Sequence, residues 1–171
     1  HLKANQRVLD QLLQLRVIPD LFGLDLQDTN ISDVSRFGGI KVICLSGTNV
    51  TNVAPLRRAI SVDISYTQVS DITPLDEVRE LDISGTKVTR VPRLANLRIL
   101  RGTDPDLLGL DLLGRSTEID VDWACLNTRP ALEEAKRIVS ANSKGRIFFD
   151  ARMEEIRRML TSHRRDRPNV Y

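Results

Sequence analysis

One pattern of apolar and polar positions recurs every nineteen residues through the middle of the chain. Its first copy is Leu24, Leu26, Thr29, Ile31, Val34, Phe37 and Ile40. The second is Ile43, Leu45, Thr48, Val50, Val53, Leu56 and Ala59. The third is Val62, Ile64, Thr67, Val69, Ile72, Leu75 and Val78. The fourth is Leu81, Ile83, Thr86, Val88, Val91, Leu94 and Leu97. Four ungapped copies with threonine at the same place mark a stack of repeated coils. A fifth copy is damaged: Leu100, Leu107, Leu110 and Leu113 keep the register, while Gly102 and Pro105 replace the second strand residue and the threonine. A sixth begins at Ile119 and Val121.

Each copy predicts the same two legs. The apolar-polar-apolar alternation that opens it is a short strand with both apolar residues inward. Apolar residues then return every third position, which suits tight turns or 3₁₀ segments and not a long α-helix. Stacking the coils pairs the strands in parallel, about 4.8 Å apart.

The ends read differently. Residues 2–15 carry an apolar stripe (Leu2, Leu9, Leu12, Leu13) and predict a helix stopped near Arg16 by Pro19. A helix with one apolar face ahead of a repeat array is expected to cover the array's exposed end. Beyond the sixth copy, Pro130 opens a helix with Thr128 as N-cap. A short strand at 146–150 follows, then a helix over 151–163 with Met153, Ile156, Met159 and Leu160 on one face. The expected division is one domain: an N-terminal helical cap at 1–22, repeats at 23–126, and a helix-strand-helix cap with a basic tail at 127–171.

Composition narrows this little. Aromatic residues are 4% of the chain, so Leu, Ile and Val must build the core. Net charge is +2, which selects no partner class. The two cysteines, Cys44 and Cys125, lie four repeat lengths apart, too far to bond in a solenoid. A reducing, intracellular setting, cytoplasmic or cytoskeletal, is therefore expected. Asn30 and Asn49 head glycosylation triplets that matter only on secretion. No stretch has the length of a membrane span, so no membrane insertion is expected. There is no signal peptide, and a chain beginning with His is expected to be a piece of a longer one.

The pattern Leu-x-x-Leu-x-Leu-x-x-Asn-x-Leu, here with threonine in the asparagine slot, is that of leucine-rich repeats. Val69-Ser-Asp-Ile-Thr-Pro-Leu75 followed by Leu81-Asp-Ile-Ser-Gly-Thr-Lys-Val88 resembles the repeats of internalins and the related phosphatase-regulator subclass, over residues 20–126. Those repeats have twenty-two residues, and nineteen is the same pattern less one x-x-Leu step. The resemblance implies an α/β class, a right-handed solenoid with parallel strands on its concave face, a thin return side and a shallow arc. It also implies that Thr29, Thr48, Thr67 and Thr86 are structural, bonding the backbone of adjacent coils, and that the domain is a non-catalytic binding platform.

Function must then lie between the inward residues. With Leu81 and Ile83 inward, Glu80, Asp82 and Ser84 point out. The repeat offset aligns Asp25, Cys44, Asp63, Asp82, Arg101 and Asp120 in one row. A second row holds Gln27, Ser46, Ser65, Ser84 and Asp122, and a third, at the strand exit, Asp28, Gly47, Tyr66 and Gly85. Neighbours in a row sit on adjacent strands, where like charges destabilise, so Arg101 is expected to offset Asp82 and Asp120. One reading of these rows is a solvated polar face with an internal ion pair. The other is a recognition surface, acidic and flat, without a cleft, with Tyr66 as aromatic anchor and suited to a basic or extended protein segment. Calcium is not expected, because the row lacks clustered oxygen ligands.

Trp123 is assigned to packing under the helix at 130–140, with a partner anchor as the alternative. The arginines of the last helix and tail (Arg157, Arg158, Arg164, Arg165, Arg167) carry the alternative of a nucleic-acid-associated module, but without interleaved aromatics or a basic array. A third possibility is homotypic assembly through the caps. The sequence holds no metal-ligand spacing, phosphate loop or Ser-His-Asp set, so neither catalysis nor a cofactor is expected.

Overall fold

Each apolar-polar-apolar triplet forms one short strand, and each nineteen-residue step places the next strand beside it. A computed structural model describes residues 2–103, 107–109, 112–113 and 117–121. These form a seven-stranded, all-parallel open sheet in sequential order. The strands are β1 (Leu2–Lys3), β2 (Gly23–Asp25), β3 (Val42–Cys44), β4 (Ser61–Asp63), β5 (Glu80–Asp82), β6 (Ile99–Thr103) and β7 (Glu118–Val121). Leu24, Ile43, Val62, Leu81 and Leu100 are register partners in turn, so the sequence period is the stacking period.

The inward residues of all coils merge into one core. Every repeat position of the first four copies is buried except Thr86 and Val88, which are half-buried. Burying such side chains contributes about 1.5–3 kcal/mol each. With few aromatics, Phe37 is the bulkiest of the fully buried side chains among the described residues.

The return legs are short because local hydrogen bonds turn them. Asp33, Asn52 and Asp71, nineteen apart, each accept the backbone N–H two residues on, at 2.8, 2.9 and 2.8 Å. Two of these turns lead into 3₁₀ segments, Ser35–Phe37 and Ala54–Leu56, as the period of three predicted. In the fourth coil Arg90 occupies this slot and instead forms a parallel bridge with Leu108.

The threonines are structural, but not as bonds between coils. Thr29, Thr48, Thr67 and Thr86 each donate their hydroxyl to the carbonyl three residues back in their own coil, at 2.6–2.7 Å. Their own turn brings that carbonyl within reach; Thr117, outside this column, does cross between coils, its hydroxyl donating to Leu97 O at 3.0 Å. Backbone groups make the bonds between coils, as in Asn49 N–H to Ile31 O at 3.0 Å and Lys87 N–H to Val69 O at 2.9 Å.

The N-terminus departs from the predicted helix over 2–15. Leu2 and Lys3 are strand β1, paired with Leu24 and Asp25. Asn5 causes the switch: its extended backbone and side-chain oxygen, which accepts from Val8 N–H, start helix α1 at Gln6–Gln14. Leu9 and Leu12 join the core, but Leu13 is 40% exposed, off the predicted stripe. The helix ends one turn of chain earlier than Pro19 required. There the Arg36 guanidinium, from the next coil, donates to Leu13 O at 2.6 Å and to Leu15 O. A cation at a helix C-terminus suits its dipole and its unpaired carbonyls.

The damaged fifth copy interrupts the register of the sheet. Gly102 has φ of +74°, and a Cβ there would lie 2.1 Å from Ser84 Oγ. β6 rides that closely over β5, and its register with β7 slips: Leu100 pairs with Ile119, but Thr103, not Gly102, pairs with Val121. The expectations for Trp123, Cys125, the elements at 130–140, 146–150 and 151–163, and the arginine tail lie outside the described residues.

Candidate functional site

Parallel pairing at a constant period places the outward residues as the sequence predicts. Asp25, Cys44, Asp63, Asp82 and Arg101 are consecutive register partners across β2 to β6. The row has a member that sequence reasoning missed, Lys3, partnered with Asp25 and ion-paired to it at 3.5 Å. No signal in the repeat finds it, because β1 lies twenty-two residues before β2 (Leu2 to Leu24) and not nineteen. Arg101 faces Asp82 in register, but the two make no ion pair among the described residues, contrary to the expected offset.

The aspartates are partly occupied in holding the strand ends. Oδ1 of Asp25, Asp63 and Asp82 accepts the backbone N–H two residues on, from Gln27, Ser65 and Ser84, at 3.0, 2.9 and 3.0 Å. The hydroxyls of Ser65 and Ser84 donate to the same oxygens at 2.6 Å. The triplet Asp-Ile-Ser, twice in the sequence, was the available signal for this turn. It revises the candidate list: Ser65 is only 6% exposed, its hydroxyl also reaching Ser46 at 2.8 Å, so it is a framework residue and not a contact surface. Ser84 is half-buried in the same arrangement, and Gln27 is exposed beyond the acidic row.

Between β2 and β6 the face holds a shallow, open depression of about 230 Å³, lined by Cys44, Ser61, Asp63, Glu80, Asp82 and Arg101 among others. Ser61, unremarked in the sequence, donates to Glu80 Oε2 at 3.3 Å. The volume lies below the ~300 Å³ at which small-molecule sites begin, and matches a side chain or two better.

Cys44 sits half-buried at the cavity. Its thiol donates to Asp63 Oδ2 at 3.4 Å. Burial, with Asp63 and Asp25 adding negative charge nearby, pushes it up to about 12. It is a weak hydrogen-bond donor here, not a nucleophile. Tyr66 stands apart from the cavity, at the strand exit, with 70% of its surface exposed. The structure thus separates the predicted site into an acidic cavity and an aromatic rim.

One strand per coil, a hydroxyl-closed turn, a 3₁₀ return and a nineteen-residue register make this chain a leucine-rich-repeat solenoid, and it resembles the internalins. No family model matches it, and no curated protein does. Among solved structures, the crystal structure of an internalin (inlF) from Listeria monocytogenes str. 4b F2365 is similar, at 15% sequence identity and a TM-score of 0.43. The match covers 78% of this chain and 49% of that one, so this chain spans about half of that protein's length. No helix among the described residues is long and apolar enough to cross a membrane.

Proposed function

We propose that the domain is a protein-interaction module, a scaffold or adaptor, whose strand face takes a basic, extended segment of a partner protein. The observation that carries this is the acidic cavity. Asp63, Glu80 and Asp82 converge on a space of side-chain size, in a protein whose net charge is +2. A cationic side chain there gains from several carboxylates at once, which steers association and fixes register more than it adds affinity. The turn bonds of Asp63 and Asp82 hold their carboxylates in place, so little is lost in ordering them. On this reading α1 is the N-terminal cap, and a free Cys44 suits an intracellular setting.

Fluorescence anisotropy with a labelled hexalysine peptide tests the proposal. Asparagine keeps the turn bond, as Asn52 shows at 2.9 Å, so Asp63→Asn with Asp82→Asn removes charge without removing the turn. The double variant should bind roughly five- to tenfold more weakly than wild type, and wild-type binding should weaken with salt. Equal affinity of the two proteins would mean the cavity is not the site.

A further inference from the structure

The four strand-exit residues share one backbone state. Asp28, Gly47, Tyr66 and Gly85 have φ of 58°, 68°, 57° and 63°, in the left-handed region. Glycine enters that region freely and aspartate tolerates it, but a bulky ring there is an outlier. Tyr66 is not kept for the core, since 70% of it is exposed. Backbone strain that burial does not offset points to a use elsewhere.

The ring is also seated. A Cβ on Gly85 would lie 2.7 Å from Tyr66 Cδ1 and 3.0 Å from Cε1. The ring therefore lies against the backbone of the next coil, in space that exists only because residue 85 has no side chain. Tyr66 N–H bonds Ser84 O at 2.7 Å, which fixes the base of the side chain over the same coil. Asp28 leans over Gly47 in the same manner, its Oδ1 2.5 Å from where a Cβ would be. The Cδ1–Cε1 edge of the phenol ring is thus seated against Gly85 while most of the residue is open to solvent, an arrangement that loses little freedom on binding.

We infer that Tyr66, seated on Gly85, is a preorganised platform for the guanidinium of an arginine in the bound segment, and so sets a preference for arginine over lysine. This rests on the strand face being the binding face for a basic segment. Asp63 is three residues before Tyr66 on the same coil, and Asp82 is its register partner on the next. A cation drawn to those carboxylates comes within reach of the rim. A planar guanidinium stacks on an aromatic face, whereas an ammonium is a compact, strongly hydrated charge.

Anisotropy with labelled hexa-arginine and hexalysine tests this on wild type, Tyr66→Gly and Tyr66→Phe. Glycine suits the left-handed backbone, as at Gly47 and Gly85, so Tyr66→Gly keeps the fold. Wild type should bind hexa-arginine about two- to fivefold more tightly than hexalysine. Tyr66→Phe should keep that ratio, and Tyr66→Gly should bring it close to one with hexalysine affinity unchanged. A ratio near one in wild type, or a preference that survives in Tyr66→Gly, overturns the platform. If the ratio fails in either way while both peptides still bind wild type and weaken in the Asp63→Asn, Asp82→Asn protein, the acidic face stands and the platform falls. If neither binds wild type, both fall.

Discussion

The third and fourth coils carry the same pattern of six aliphatic residues and one threonine and fold differently. In the third, at 62–78, Thr67 and Val69 are fully buried. In the fourth, at 81–97, Thr86 and Val88 are only half-buried. The third coil's return leg opens on the Asp71 turn, while the fourth has Arg90 in that slot and bridges to Leu108. The cause lies in the neighbour. The coil after the fourth has Gly102 where an isoleucine would continue the Ile64–Ile83 column, and its strand lies close against Ser84. In a stack, a coil's core is completed by the next coil's sequence as much as by its own.

Core truncation should give the largest contrast. Ile64→Ala, in a residue with no exposed surface, should cost about 3–5 kcal/mol, and Ile83→Ala, beside Gly102, nearer about 2–3 kcal/mol, by urea denaturation. Equal costs would mean that the fifth coil supports the fourth as fully as the fourth supports the third. Gly102→Ala should cost about 2 kcal/mol or more, from positive φ and the clash with Ser84, while Gly39→Ala, with nothing within 4 Å of the added Cβ, should be near neutral.

The threonines should separate by a smaller margin. Ile83 O also accepts Thr86 N–H, at 3.1 Å, whereas at Ile64 O the bond from Thr67 is the hydroxyl's, at 2.6 Å. Thr67→Val should therefore cost about 1–2 kcal/mol and Thr86→Val less than about 1 kcal/mol. The smallest effect is on acid sensitivity. Hydrogen bonds hold Asp33 (from Ser35 N–H, then its hydroxyl) and Asp71 (from the Thr73 hydroxyl, then its N–H) below the ordinary 3.8. Their contribution is full above pH 3.8 and is lost as pH falls through the lowered folded values. Asp33→Asn with Asp71→Asn should flatten the stability profile below about pH 4, the variant being slightly less stable than wild type at neutral pH and converging with it in acid. An unchanged acid limb would separate these turns from acid unfolding. The fourth coil, with Arg90 in that slot, has no equivalent group.

Much of this was legible in the sequence, for a physical reason. In-register parallel pairing at a constant period converts sequence offset into spatial adjacency, so the core and the Asp25-to-Arg101 row followed directly from spacing. β1 was hidden because its offset to β2 is larger, and because Leu2 extends a helical stripe that only the Asn5 cap interrupts. The cavity was hidden because its shape depends on side chains from five strands. The burial of Ser65 was hidden because alternation predicts direction and not the hydrogen bonds that fold a hydroxyl inward. Tyr66's strain shows only when it is read in column with Gly47 and Gly85.

Chemical-shift mapping of hexalysine onto the ¹⁵N-labelled protein tests the binding face most directly. The proposed face predicts amide shifts concentrated at Cys44, Asp63, Asp82 and Arg101, across β3 to β6. Shifts confined to α1 or to the return segments Ser35–Phe37 and Ala54–Leu56, with the strand face silent, would contradict it.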